Sequence, residues 1–146
     1  MAAIQVRPIS VAQTRPLRRA VLRPHQSLEE MGDSEPQDAY AVGVFEGDVL
    51  IAVGLIGPDP ERGVGSWRVR GMATQPASRG GGCGTAVLVA LLDHARANGA
   101  RTVWCTVRTP ARSLYERAGF RALSDEFEIP DIGPHFVMEL ALERDG

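Results

Sequence analysis

The sequence predicts a mixed α/β domain with one mostly antiparallel sheet flanked by helices. Three observations carry that reading. Strand-like runs follow one another between residues 39 and 74 with only short breaks. One amphipathic helix stands out at 85–98, with Leu88, Leu91, Leu92 and Ala95 as its apolar stripe. The order of elements is strand, helix, strands, helix, strand, helix, strands. At 146 residues the chain is one domain's worth, 1–146. A domain of that size buries roughly two-thirds of its unfolded surface.

The elements follow in order. Ile4 to Pro8 reads as a first strand. Ser10 opens a helix, with Gln13 three places on as capping-box partner, and Leu17, Ala20 and Val21 recur at helical spacing. Pro16 moves the regular helix to about Thr14, and Arg23-Pro24 ends it. His25 to Asp38 is polar and reads as a loop or a short weak helix. Ala39 to Phe45 is a strand with Tyr40, Val42 and Val44 on one face, and Glu46-Gly47-Asp48 turns the chain back. Val49 to Ile56 is nearly all apolar, as a central strand covered on both faces would be. After a Pro- and Gly-rich loop at 57–65, Ser66 to Thr74 alternates. Trp67, Val69 and Gly71 face one way; Arg68, Arg70 and Met72 face the other. Pro76 to Gly84 is a glycine-rich loop, and Thr85 to Asn98 is the long helix, stopped at Asn98-Gly99. Arg101 to Val107 is a strand, and Pro110 to Ala118 a helix that Gly119 ends. Phe120 to Ile129 and His135 to Leu142 close the chain as two strands.

Composition excludes several chemistries. All sixteen basic residues are arginine, so there is no lysine for a Walker-type phosphate loop, a kinase nucleotide site or a Schiff base. Aromatics are only 5% of residues, which leaves the core to aliphatic side chains. A net charge of -2 gives no field to draw nucleic acid or an anionic membrane. No run approaches the roughly 18 apolar residues of a membrane span. Cys83 and Cys105 are too far apart for a C-x-x-C redox or zinc motif, and no metal is expected. Two free thiols and an N-terminus without an apolar run point to a reducing, cytoplasmic setting.

The segment that carries chemistry is Arg79-Gly80-Gly81-Gly82-Cys83-Gly84-Thr85, between a strand and a helix. Small residues let backbone N–H groups crowd round an anion, and a helix start adds unpaired donors and partial positive charge. That combination suits a phosphate or pyrophosphate; the bland alternative is a flexible loop capped by a helix. A Rossmann fingerprint is disfavoured, because Gly82-Cys83-Gly84 would need glycine or alanine where Val87 stands.

Arg79-x-x-Gly82-x-Gly84 resembles the R/Q-x-x-G-x-G/A motif of the GNAT N-acetyltransferase superfamily. Ala111-Arg112-Ser113-Leu114-Tyr115-Glu116-Arg117-Ala118-Gly119-Phe120 is similar to that family's second signature, A-x-x-[LF]-Y-x-[KR]-x-G-F. The resemblance implies a sheet whose fourth and fifth strands splay apart, with acetyl-CoA as acetyl donor entering the gap. It places Met72, Ala73 and Thr74 against the donor, one of their N–H groups polarising the thioester carbonyl. It gives the pyrophosphate to backbone N–H groups of Arg79, Gly80, Gly81, Gly82, Cys83, Gly84 and Thr85. Tyr115 falls at the family's usual general acid, which protonates the departing thiolate; a helix tyrosine packed under the sheet is the alternative.

Two departures matter. Arg108 stands where the second signature's usual asparagine would be, and residues 62–74 hold no carboxylate to act as a fourth-strand general base. A water chain, backbone carbonyls, His135, Asp125, Glu126 or Glu128 are the candidates for that task. The resemblance implies a small-molecule amine as acceptor. Arg23, Arg70, Arg108 and His135 are candidate substrate-binding residues, and several arginines in one cleft favour an anionic acceptor. A protein N-acetyltransferase and a non-catalytic acyl-CoA sensor are the alternatives. His94 is assigned to the solvent face of the long helix and Cys105 to the core. Trp104 packs either in the sheet or at the contact of a homodimer.

Overall fold

Two residues, Gly47 and Asp48, are enough to join the first long strands, whose register shifts by one residue between Val44 and Phe45. The computed structural model describes residues 4–24, 27, 36 and 38–142. Its strands are β1 (Ile4–Ile9), β2 (Tyr40–Glu46), β3 (Val49–Pro58), β4 (Ser66–Thr74), β5 (Thr102–Arg108), β6 (Arg121–Ala122), β7 (Phe127–Ile129) and β8 (Gly133–Ala141). Among the described residues the α-helices are α1 (Val11–Leu22), α2 (Cys83–Ala97) and α3 (Arg112–Arg117). Gly47 adopts φ +60 while Asp48 stays at negative φ, the pattern of a type II′ turn, whose twist suits a two-residue hairpin.

The sheet runs β1-β2-β3-β4-β5-β8-β6, with β7 also paired to β8. Every pairing is antiparallel except β4 with β5. β3 is buried from Ile51 to Gly57, as expected of a strand covered on both faces. On one face, Val42, Val44, Ala52, Ile56 and Val69 pack against Val87, Leu88, Leu91 and Leu92 of α2. The other face of β3 and β4 meets α1.

Six expectations are corrected. First, α1 starts at Val11 and carries Pro16 inside it. Ser10 and Gln13 form both bonds of the capping box, at 2.8 and 3.1 Å, and so hold the first turn while proline removes one later rung. Second, β3 extends to Pro58, and the following loop winds into a 3-10 turn at Pro60–Arg62. Third, α2 starts two residues early, at Cys83, because Gly82 takes a left-handed conformation as its N-cap. Fourth, Thr109–Ala111 is a 3-10 turn, so the α-helix carrying Tyr115 has only six residues. Fifth, the 120–129 strand is broken into β6 and β7.

The sixth correction bears on function. A bulge sits in β4 opposite Gly54: Val53 pairs with Ala73, but Leu55 pairs with Arg70, leaving Gly71 and Met72 to face one residue. Gly71 has φ +62, and a Cβ there would meet Leu55 and Arg18 on the α1 side. Met72 instead packs into the α2 core, where its sulfur fills the space a Gly54 side chain would need. Met72 therefore shares a face with Trp67 and Val69, and Arg70 does not share Met72's face. Most of the polar segment from His25 to Asp38 lies outside the described residues.

Candidate functional site

β4 and β5 pair only through Ser66–Thr102, Trp67–Val103 and Arg68–Trp104, and then part. Beyond that point β4 has lost its neighbour on one edge while β3 still holds the other. Gln75 N–H donates to Ile51 O at 2.8 Å, so strand alternation gives Ala73 N–H to β3 as well. The N–H of Thr74 is thereby turned to the open edge. Into this gap opens a cleft of about 570 Å³. Its walls are residues 69–74 of β4, residues 105–108 of β5, the C-terminal end of α1, and Pro110, Ala111, Leu114 and Tyr115.

Of the sequence candidates, the cleft brings together Met72, Ala73, Thr74, Arg79, Tyr115, Arg23, Arg70, Arg108 and His135. Gly80, Gly81, Gly82, Cys83, Gly84 and Thr85 do not line it. Gly80, Gly81, Gly82 and Thr85 form the exposed shoulder beyond Arg79, Gly84 is half-buried, and Cys83 turns its side chain into the core. Gly80 and Gly82 have φ +84 and +83, with open space where a Cβ would stand. Helix bonding in α2 begins with Ala86 N–H to Gly82 O at 3.0 Å, so the preceding N–H groups of Cys83, Gly84 and Thr85 have no helical acceptor. The shoulder thus presents unpaired donors at the positive end of a helix of 15 residues.

Tyr115 is 5% exposed, with Phe120 edge-on at 5.4 Å. Burial, with Cys105 adding to it, pushes its phenol well above the ordinary tyrosine value. The hydroxyl holds its proton at neutral pH and above. Burial likewise pushes the Cys105 thiol up, although Arg68 opposes the shift.

His135 is 4% exposed. Its Nδ1 lies 2.7 Å from Gly133 O, and a carbonyl can only accept, so Nδ1 carries a hydrogen. In the neutral ring Nε2 then holds the lone pair. The carboxylate candidates sit elsewhere. Asp125, Glu126 and Glu128 are exposed and outside the cleft lining, and Glu126 accepts from Thr109 Oγ1 at 2.8 Å.

The arginines separate into two kinds. Arg70 Nη2 is bound to Asp59 Oδ2 at 3.0 Å, and Arg68 reaches the same carboxylate at 3.9 Å. Arg68 also lies over the Trp104 ring at 4.3 Å, which answers the question about Trp104: it is 4% exposed, packed in the sheet beneath a guanidinium. Arg23 and Arg108 both donate to one acceptor, Leu22 O, at 2.9 and 3.0 Å. Sequence reasoning missed Asp59 and the Leu22 carbonyl. Asp59 lay in a loop with no fixed distance to β4, and a backbone carbonyl leaves no mark in a sequence. His94 is also corrected: it stacks on Tyr40 at 3.7 Å and meets Trp67 edge-on at 5.8 Å, rather than facing solvent. Desolvation lowers its pKa.

The profile of the acetyltransferase (GNAT) family matches residues 7–120. A Bacillus subtilis (strain 168) protein described as the uncharacterized N-acetyltransferase YitI is 33% identical over 141 residues, covering 92% of this chain and 94% of that protein. The fold is similar to the ribosomal-protein-S18-alanine N-acetyltransferase of Escherichia coli, with TM-score 0.79 and 16% identity, over 99% of this chain and 97% of that one. It is also similar to a Bacillus subtilis acetyltransferase in complex with CoA, with TM-score 0.72 and 15% identity, over 98% of this chain and 100% of that one.

Proposed function

Because the chain belongs to the GNAT acetyltransferase family and is an acetyltransferase, we propose that it moves the acetyl group of acetyl-CoA to the amine of a small molecule seated in this cleft. The observation that carries the reading is the parting of β4 from β5 with Tyr115 on the cleft wall. Two features fit the donor. The free edge of β4 can accept an extended, amide-bearing arm as an added strand. The glycine shoulder offers unpaired N–H groups to a pyrophosphate with no side chain in the way at Gly80 and Gly82. When bound, acetyl-CoA supplies a thioester whose carbonyl carbon is open to attack by an amine.

The chain's own groups do the rest. Thr74 N–H, on the open edge, donates to the carbonyl oxygen as negative charge develops there, and Met72, two residues back, is the second candidate donor. Ala73 serves through its place in the strand, since its own N–H is committed to β3. Tyr115, a protonated phenol on the cleft wall, gives its proton to the leaving sulfur. His135 Nε2 takes the proton of the attacking amine; of the four side-chain base candidates, His135 is the one that combines a lone pair with a place on the cleft wall. Arg79 sits where the cleft meets the shoulder and adds positive charge for the phosphates.

Titration calorimetry with acetyl-CoA, followed by thiol release over a panel of amines, tests the proposal. Saturable micromolar binding and amine-dependent release of CoA are expected. Absence of binding at millimolar acetyl-CoA overturns it.

A further inference from the structure

Arg23 closes α1 and Arg108 closes β5, 85 positions apart in sequence, yet both donate to the carbonyl oxygen of Leu22, at 2.9 and 3.0 Å. Two guanidinium groups are thus held side by side on the cleft wall. One neutral carbonyl does not cancel two positive charges. Among the described residues neither arginine has an ion-pair partner. Arg70, on the same cleft, has its charge answered by Asp59. The cost of the pairing is visible in Arg23, whose pKa is lowered by burial and then by Arg108 and Arg18. Each guanidinium has five N–H donors and spends one on Leu22 in these bonds. The remainder form a preset fork suited to the oxygens of a carboxylate or phosphate.

The geometry points to Arg23 and Arg108 as a clamp for an anionic group on the acceptor, so that the enzyme acetylates amines that also carry a carboxylate or phosphate. This rests on reading the cleft as the site of acetyl transfer. Arg108 lies directly across from His135 in the β5–β8 register. The clamp therefore holds the acceptor's anion beside the ring that receives the amine's proton. An acceptor with only a few bonds between its anionic group and its amine, such as an amino acid or an aminoalkyl phosphate, spans that arrangement. A polyamine would place cations against guanidinium groups and is disfavoured.

The test has two arms on the full chain with acetyl-CoA bound at saturation. In the first, thiol release is compared for amino acids against their amides, and for aminoethyl phosphate against ethanolamine. The anionic partner should lead in kcat/KM by about tenfold or more, the scale of a charged hydrogen-bonded contact. Arg23→Gln and Arg108→Lys should raise the KM for the anionic partner and shrink that lead, with the acetyl-CoA dissociation constant within about twofold of wild type. In the second arm, succinate and inorganic phosphate are titrated into the protein saturated with CoA. Saturable binding that the variants lose supports the clamp, and the preferred anion says whether carboxylate or phosphate is the true group. Amides or polyamines outrunning the acids, or no binding of either anion, overturns the clamp. A rise in the acetyl-CoA dissociation constant in the variants instead assigns the pair to the donor and also overturns it. Failure of wild type to bind acetyl-CoA strikes the proposed function itself and is read separately.

Discussion

The two edges of β4 are made from the same nine residues and do opposite things. Toward β3 the strand is zipped from Pro58–Trp67 to Ala52–Thr74, and the one irregularity in that seam is the bulge at Gly71. Toward β5 it pairs for three residues and then opens onto the cleft. Hydrogen bonding on one edge holds the strand in place, which leaves the other free to stand unpaired without the sheet fraying. The bulge adds twist where the two strands part. It also sends Met72 into the core while Arg70 stays on the α1 side. The open edge is therefore a property the closed edge makes possible.

Breaking the chemistry of the open edge should give the largest effect. Tyr115→Phe should lower kcat at least about 100-fold, the lower end of general-acid contributions, while acetyl-CoA affinity measured by calorimetry stays unchanged. The same phenol marks stability. Its pKa is raised in the folded state, so its favourable burial is complete below the unfolded value near ~10 and is lost as pH rises above it. Cys105, raised in the same sense, starts its loss near ~8.5. Wild-type melting temperature should therefore fall above about pH 9, and less steeply in Tyr115→Phe. An alkaline profile identical in both would contradict the buried, protonated phenol.

The closed edge is tested next. Gly71→Ala puts a Cβ 2.8 Å from Leu55 Cδ1 and 2.7 Å from Arg18 Nε at φ +62. It should cost on the order of 1–3 kcal/mol in urea unfolding and lower activity along with stability. If stability falls while kcat/KM is untouched, the bulge does not shape the open edge.

Gly82→Ala meets open space but keeps φ +83. It should cost about 1–2 kcal/mol, shared between the helix start and donor binding, and weaken acetyl-CoA up to about tenfold. The smallest effect belongs to the surface. Glu116→Gln removes an exposed i,i+4 contact with Arg112 at 3.4 Å and should change stability by less than about 0.5 kcal/mol.

What could be read from the sequence divides along the same line. The glycine shoulder and the Tyr115 segment were legible because their chemistry is local: small residues at a helix start, and one short helix with its signature. The element order was legible from alternation. Alternation also misled at Met72, because a straight strand was assumed and the left-handed residue that breaks it, Gly71, looks like any other small strand residue. Contacts between distant segments were hidden for a different reason. Arg70 with Asp59, Arg23 with Arg108, and His94 on Tyr40 depend on where elements pack, which no single window of sequence records. Arg108 stands out in the sequence as a departure from the second signature, but its partner is a carbonyl 86 residues away.

Both cysteines are free thiols, buried in the protein, and Cys105 is further quieted by its raised pKa. A thiolate is the form that reacts with disulfide and maleimide dyes. The folded enzyme should therefore be nearly silent to such dyes, and each equivalent of colour in a turnover assay should count one molecule of CoA set free. The same silence makes unfolding visible: a mutant that loosens the cleft would announce itself by colour before any acceptor is added.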